Sequence, residues 1–212
     1  MYVPPQFRQD DVTAMHATIA AARLATLVTV IDGSPLVSHV PMMLDPARGA
    51  LGVLRCHLAR ANPQGRALAE GQEALAIILG PEAYVSPSWY ASKREHGKVV
   101  PTWNYVAVHA SGRLHVIDDG PGLHALVDDL TRLHEERRAE PWSVTDAPES
   151  YVAGQLRAIV GVELEIRALD GKWKLGQNRS EADVEGVACG LAASPDPRDR
   201  EASEAIRRAA EI

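Results

Sequence analysis

The chain has 212 residues, 46% of them hydrophobic, which is enough to bury a full core, and its formal charge is −6. An acidic chain lacks the phosphate-neutralising surface that gives nucleic-acid-gripping proteins most of their non-specific affinity, and no apolar run approaches the roughly 18 residues of a membrane span. Met1-Tyr-Val-Pro-Pro-Gln-Phe7 has no basic stretch leading into an apolar one and is not read as a signal peptide.

Cys56 and Cys189 lie far apart and outside any Cys-x-x-Cys motif. They read as reduced thiols of a cytoplasmic protein, with a single disulfide between them as the alternative. No two of the eight histidines have zinc-site spacing with a third ligand nearby, so no metal site is expected.

In chain order, Asp10-Asp11 caps a helix running to about Ala22, with Val12, Met15, Ile19 and Ala22 on one face. Leu24 to Ile31 is short, β-branched and apolar, and reads as a strand buried on both sides. Asp32-Gly33 signals a hairpin turn into a strand from Leu36 to Leu44, which Asp45-Pro46 closes. Gly49 to Arg55 and Glu73 to Leu79 read as further strands, with a short helix from Pro63 to Glu70 between them. Ala83 to Val85, Val99 to Ala110 and Arg113 to Ile117 supply more strand.

A helical insertion follows at about residues 120–158. Pro121 stands at a first helical position, and Leu123, Leu126, Val127, Leu130 and Leu133 keep helical spacing. A second helix is expected from Pro148 to Arg157. Val160 to Leu169 returns as a strand, and Asp170-Gly171 reads as a turn into Trp173-Lys174-Leu175. Ser180 opens a helix. Residues 194–212 read as a linker and a closing amphipathic helix from Glu201 to Ile212, following a domain that spans residues 1–193. The pattern is mainly β with helices (α+β), an antiparallel barrel with attached helices. No strand leads into a Gly-x-Gly-x-x-Gly or Walker-type loop.

Four segments carry candidate chemistry. Tyr84 to Tyr105 holds five of the ten aromatic residues within 22 positions, around Lys93, Arg94 and Lys98. Rings beside cations on a backbone stiffened by Pro87 and Pro101 suit a planar, anionic ligand, and an aromatic corner of the core is the competing reading. In Arg55-Cys-His57-Leu-Ala-Arg60-Ala-Asn62-Pro63, Arg60 can fork onto a phosphate and Asn62 can cap a helix. A capped turn with a solvated arginine is the alternative. Ser38-His39-Val40-Pro41 places polar groups within an apolar strand, where burial demands partners, and a satisfied core histidine is the commoner outcome. In Trp173-Lys174-Leu-Gly-Gln177-Asn178-Arg179, a cation and two amides can meet the edge of a heteroaromatic ring.

Together these segments resemble the PaiB family, whose members are described as FMN-binding negative transcriptional regulators. The resemblance rests on Met1-Tyr-x-Pro-Pro5, His57-Leu-Ala-Arg-Ala-Asn-Pro63, Gly80-Pro-x-Ala-Tyr-x-Ser-Pro-Ser-Trp-Tyr90, Lys93-x-x-x-Gly97-Lys98, Val100-Pro-Thr-Trp-Asn-Tyr105 and Lys174-Leu-x-Gln-Asn-Arg179. It covers about residues 1 to 190. Gly65 departs from it, since the family tends to carry a bulky residue there, and its absence implies a gap beside the helix.

The resemblance implies an FMN-binding split β-barrel like that of pyridoxamine-phosphate oxidase, with FMN in a cleft between the subunits of a homodimer. It places Ser38, His39, Val40 and Pro41 along the isoalloxazine, Leu54 and His57 beside the ribityl chain, and Arg60 with Asn62 at the phosphate. Trp103, Tyr105, Lys174, Gln177 and Asn178 approach from the other side. Ser86, Trp89, Tyr90, Lys93, His96 and Lys98 are left as substrate or lid candidates.

Two functions follow. One is a flavin-bound negative regulator acting as a dimer, through DNA or a partner protein. The other is an FMN-dependent oxidoreductase acting on a small substrate, with the flavin supplying the chemistry.

Overall fold

The computed structural model describes residues 1–22 and 24–210. In chain order the strands are β1 (Arg8–Gln9), β2 (Ala25–Ile31), β3 (Ser34–Val40), β4 (Met43–Asp45), β5 (Val53–Ala59), β6 (Glu73–Val85), β7 (Thr102–Ile117) and β8 (Ile159–Lys174). The helices are α1 (Val12–Ala21), α2 (Pro63–Arg66), α3 (Ser92–His96), α4 (Gly120–Glu135), α5 (Glu149–Leu156), α6 (Glu181–Ala192) and α7 (Pro197–Ala210). The eight strands form one sheet in the order β3-β2-β6-β7-β8-β5-β4, with β1 added on β8. The chain divides into two compact units, and β6, β7 and β8 each contribute residues to both.

One unit comprises residues 19–78 and 109–169. Its centre is made of Leu27, Leu54, Ile78, Leu114, Leu126 and Leu164, all fully buried. The β2–β3 hairpin turns at Asp32 (φ 48°) and Gly33 (φ 77°), the pair of positive φ angles that a two-residue turn requires. The strand at β2 is not buried on both sides. Burial alternates, with Ala25, Leu27 and Thr29 inside, because β2 packs one face only.

The strand expected from Leu36 to Leu44 is two strands. β3 pairs with β2 and β4 pairs with β5, so the chain changes partner at Pro41-Met42, and Pro41 brings no N–H to a ladder. The next strand starts at Val53 rather than Gly49, after a turn that includes Gly49 and Gly52 at positive φ. α2 is a single turn ending at Arg66, not a helix to Glu70. β5 runs against β8 from Val53↔Glu165 to Ala59↔Ile159. α4 covers the face on which Gly161 lies: a Cβ there would stand 2.9 Å from the side chains of both Ile117 and Leu126.

The other unit comprises residues 1–18, 79–108 and 170–212. Val85, Tyr90, Val106, Leu175, Leu191 and Ile206 belong to its core, so α7 packs through Ala202, Ala205 and Ile206 into the same cluster as α6. The expected end of the closing helix at Ile212 lies outside the described residues.

Asp170-Gly171 is not a turn; β8 runs straight through it. A Cβ on Gly171 would stand 2.7 Å from the Gln9 carbonyl oxygen and 2.8 Å from Met15 Sδ. The glycine is there for the close approach of β1, which pairs Arg8 with Lys172 and Gln9 with Gly171. Likewise Ala83 to Val85 is the end of β6, which passes through Gly80-Pro81 without ending. β7 is one strand from Thr102 to Ile117 where two were expected.

Candidate functional site

In the unit of residues 19–78 and 109–169, the candidate residues cluster around α2. Asn62 caps that turn by accepting from the Gln64 amide (2.9 Å), and its Nδ2 donates to Ser38 Oγ (2.9 Å). Gln64, which the sequence did not single out, is 2% exposed. Its amide donates to the Leu27 carbonyl, the Thr29 hydroxyl and the Leu36 carbonyl at 3.1–3.2 Å, locking α2 to the β2–β3 hairpin. Gly65 leaves no gap: a Cβ there would stand 2.6 Å from the Ala59 carbonyl oxygen.

Alternation along the strands separates residues that the sequence grouped. Ser38 faces Asn62, whereas His39, one residue on, is exposed on the other face, where its Nδ1 meets Thr26 Oγ1 (3.0 Å). Val40 is buried and Pro41 exposed. Leu54 is 1% exposed and sits in the core. His57 points to the opposite face from Leu54, in register with Gly161 under α4. Burial pushes the His57 imidazole below its ordinary value, and its Nδ1 is buried without a partner among the described residues. Neighbouring Cys56 is buried, and desolvation pushes its thiol up to about 12, so it is inert. Both cysteines are free.

The Arg60 side chain is 39% exposed but tethered. Its Nε donates to the Arg157 carbonyl (3.0 Å) and its Nη2 to the Asp118 carboxylate. It lines one end of a cavity of about 830 Å³ formed with α4, the turn at Val144–Asp146 and α5.

In the unit of residues 1–18, 79–108 and 170–212, β7 and β8 build an aromatic and cationic face. Trp103 and Tyr105 lie two apart on β7, as do Lys172 and Lys174 on β8, so each pair shares a face. Lys172 is only 8% exposed; its Nζ donates to the Tyr2 carbonyl (3.1 Å) and lies 5.2 Å from the Tyr105 ring centre. Lys174 Nζ donates to Thr102 Oγ1 (2.6 Å) and to the Trp103 carbonyl. Burial pushes the Lys174 ammonium below lysine's ordinary value, and Lys172 and Arg179 push it the same way.

Neither lysine has a carboxylate within ion-pair distance among the described residues. A buried and a partly buried cation without a counter-ion suit an anion or an acceptor-bearing ring edge. Tyr84 meets Trp103 edge-on at 6.1 Å, and both rings are about half exposed. The residues fit a flat cofactor with hydrogen-bond acceptors along one edge.

The remaining candidates divide. Tyr90 is 4% exposed, in the core beneath the Arg179 guanidinium (4.9 Å). Trp89 lies on α6, where a Cβ on Gly190 would stand 2.5 Å from its ring. Both rings pack in the core cluster of this unit. Ser86 caps the turn at Pro87–Trp89. Lys93 donates to Ser88 Oγ (3.0 Å), and His96 accepts from the Lys98 amide (3.0 Å); all three lie on exposed α3 and its flank. Gln177 folds back on its own turn, accepting from the Leu175 amide and donating to the Trp173 carbonyl. Asn178 is exposed. Among the described residues no three His, Cys, Asp or Glu side chains gather into a metal site, and no helix is long and apolar enough to cross a membrane.

An eight-stranded antiparallel sheet carrying such a face defines a flavin-binding protein of the split-barrel type. The family model described as "Putative FMN-binding domain" matches residues 1–168, and the chain belongs to that family. It is 33% identical over 226 residues to an uncharacterised protein of Emericella nidulans, covering 90% of each chain. It is 28% identical over 207 residues to the Bacillus subtilis protease synthase and sporulation protein PAI 2, covering 96% of this chain and 95% of that one.

Among solved structures, the flavocytochrome Anf3 of Azotobacter vinelandii shares the fold with a TM-score of 0.58 and 17% identity, over 80% of this chain and 70% of that one. An FAD and heme binding protein of Mycobacterium smegmatis shares it with a TM-score of 0.59 and 21% identity, over 86% and 80%.

Proposed function

We propose that the protein is an FMN-loaded negative regulator of transcription that works as a homodimer and acts through a partner. The observation that carries the flavin site is the pair Lys172, buried, and Lys174, partly buried, beside Trp103 and Tyr105 without a carboxylate. Such cations favour the negative charge that an isoalloxazine gains on reduction, and bound FMN supplies the redox chemistry. Arg60 remains the phosphate contact expected from the sequence, and Asn62, bonded to Ser38, caps the helical turn that follows it.

Support for a dimer comes from the β2–β3 hairpin. β3 ends the sheet order, and Val30 and Val37 are 58% and 53% exposed on its outward face. Action through a partner rather than by direct grip on DNA follows from the charge of −6.

A flavin-dependent oxidoreductase is the second reading, favoured by the solvent-open rings of Tyr84 and Trp103. The test is to record the absorbance spectrum of the purified protein and then mix it with NADH or NADPH. Bound flavin that stays oxidised supports the regulator, and rapid bleaching supports the enzyme. A protein that neither carries nor takes up FMN would sink both.

A further inference from the structure

Apart from Arg60, the lining of the cavity beside it lies outside the four candidate segments discussed above. We propose that it is a subsite for an adenylate, a phosphate followed by a purine with an exocyclic amine. Its volume of about 830 Å³ falls within the range of about 300–1,000 Å³ usual for small-molecule sites.

The lining is ordered along α5. Glu149, Val152, Ala153, Leu156 and Arg157 recur at the spacing of one helical face, and all line the cavity. Glu149 and Arg157 are eight residues apart, which at 1.5 Å per residue sets their Cα atoms about 12 Å from each other. That span is comparable with the distance from the phosphate to the exocyclic amine of a purine mononucleotide.

The charges are placed to match. At one end the cations are Arg60 and Arg157, and the Asp118 carboxylate accepts from Arg60 alone. The excess cation there is Arg157, which has no carboxylate within ion-pair distance among the described residues. Guanidinium groups are suited to phosphate oxygens. In the middle, Leu123 of α4 and Val144 join Val152 and Leu156 to give an apolar slot for a flat ring. At the far end Glu149, with no cation paired to it among the described residues, and Thr145 offer acceptors to an amine. An alkyl carboxylate would satisfy the first end and leave the second idle.

The adenylate has two sources with the same chemistry, a free nucleotide or the distal half of FAD. The FAD route rests on the flavin reading above. The free nucleotide does not depend on it.

The experiment is calorimetric titration of the full chain with 5′-AMP, 5′-IMP, FMN, FAD and octanoate. Three variants are compared with the parent protein: Arg157→Ala, Glu149→Gln and Ala153→Trp, which fills the slot. Circular dichroism and FMN affinity serve as controls on folding and on the flavin site.

A free-nucleotide site predicts that AMP binds, and that Arg157→Ala and Ala153→Trp each weaken it about tenfold or more, the loss of a charge-assisted hydrogen bond or of the slot. AMP should also bind more tightly than IMP, and Glu149→Gln should erase that difference. An FAD site predicts that FAD binds about tenfold more tightly than FMN, an advantage lost in Ala153→Trp while FMN affinity holds. The proposal is overturned if AMP does not bind and FAD gains nothing over FMN. It is equally overturned if these affinities ignore all three substitutions, or if octanoate alone responds to them. Loss of FMN binding in the parent protein would count against the flavin reading and leave the AMP result standing.

Discussion

Asp183, 3% exposed at the start of α6, accepts two hydrogen bonds from Ser92, one from its amide (2.9 Å) and one from its hydroxyl (2.8 Å). This ties the segment after Trp89-Tyr90 to α6 and makes it a fixed strut. Burial pushes the Asp183 carboxyl up, but the Ser92 amide and hydroxyl and the Ser180 hydroxyl outweigh burial and hold it below the usual carboxylate range.

A folded-state pKa below the unfolded one means that the contribution to stability is present above the unfolded value and is lost as pH falls through the folded value. Asp183→Ala should therefore destabilise the fold by about 3 kcal/mol near neutral pH, the upper range for a hydrogen bond to a charged group. Urea unfolding at neutral and at acid pH measures this. The gap between parent and variant should narrow below the usual carboxylate range, and a gap independent of pH would refute the assignment.

Gly190→Ala tests the Trp89 contact. The added methyl meets the indole ring at 2.5 Å, so ring or helix must shift. The expected cost is about 1–3 kcal/mol, the range for overpacking, with a change in tryptophan fluorescence. Ala at Gly120, where a Cβ meets nothing within 4 Å, is the control.

Arg60→Ala should weaken FMN binding by roughly 1.5–3 kcal/mol, as removal of a charged hydrogen-bond donor does, and weaken riboflavin binding much less. Because Asp118 holds the Arg60 guanidinium, Asp118→Asn should tighten FMN binding by freeing it. Fluorescence quenching titrations with both flavins read the two effects. Equal losses for riboflavin and FMN would place the phosphate elsewhere.

Light scattering should return twice 22.9 kDa at micromolar concentration. A variant carrying both Val30→Lys and Val37→Lys, which puts cations on the outward face of the hairpin, should shift toward the monomer. A parent protein that runs as a stable monomer removes the dimer from the proposal.

What the sequence by itself determined were features set within a few residues. The Asp32-Gly33 turn, the Asn62 cap and the Ser180 cap need only local backbone geometry and a short polar side chain, and all three are present. The ordered motifs from His57 to Arg179 were likewise enough to indicate the family.

Tertiary structure alone decided which aromatic residues pack and which are presented. Trp89 and Tyr90 carry the same local signature as Trp103 and Tyr105, but Trp89 packs on Gly186 and Gly190 of α6 and Tyr90 lies in the core cluster, while Tyr105 lies beside Lys172. Asp170-Gly171 reads locally as a turn, yet β8 continues through it and β1 pairs there. Gln64 and Arg157 gave no signal because their roles depend on partners more than 25 residues away in the chain. A residue's own neighbours set its backbone preference; what it buries against is fixed only when distant segments meet.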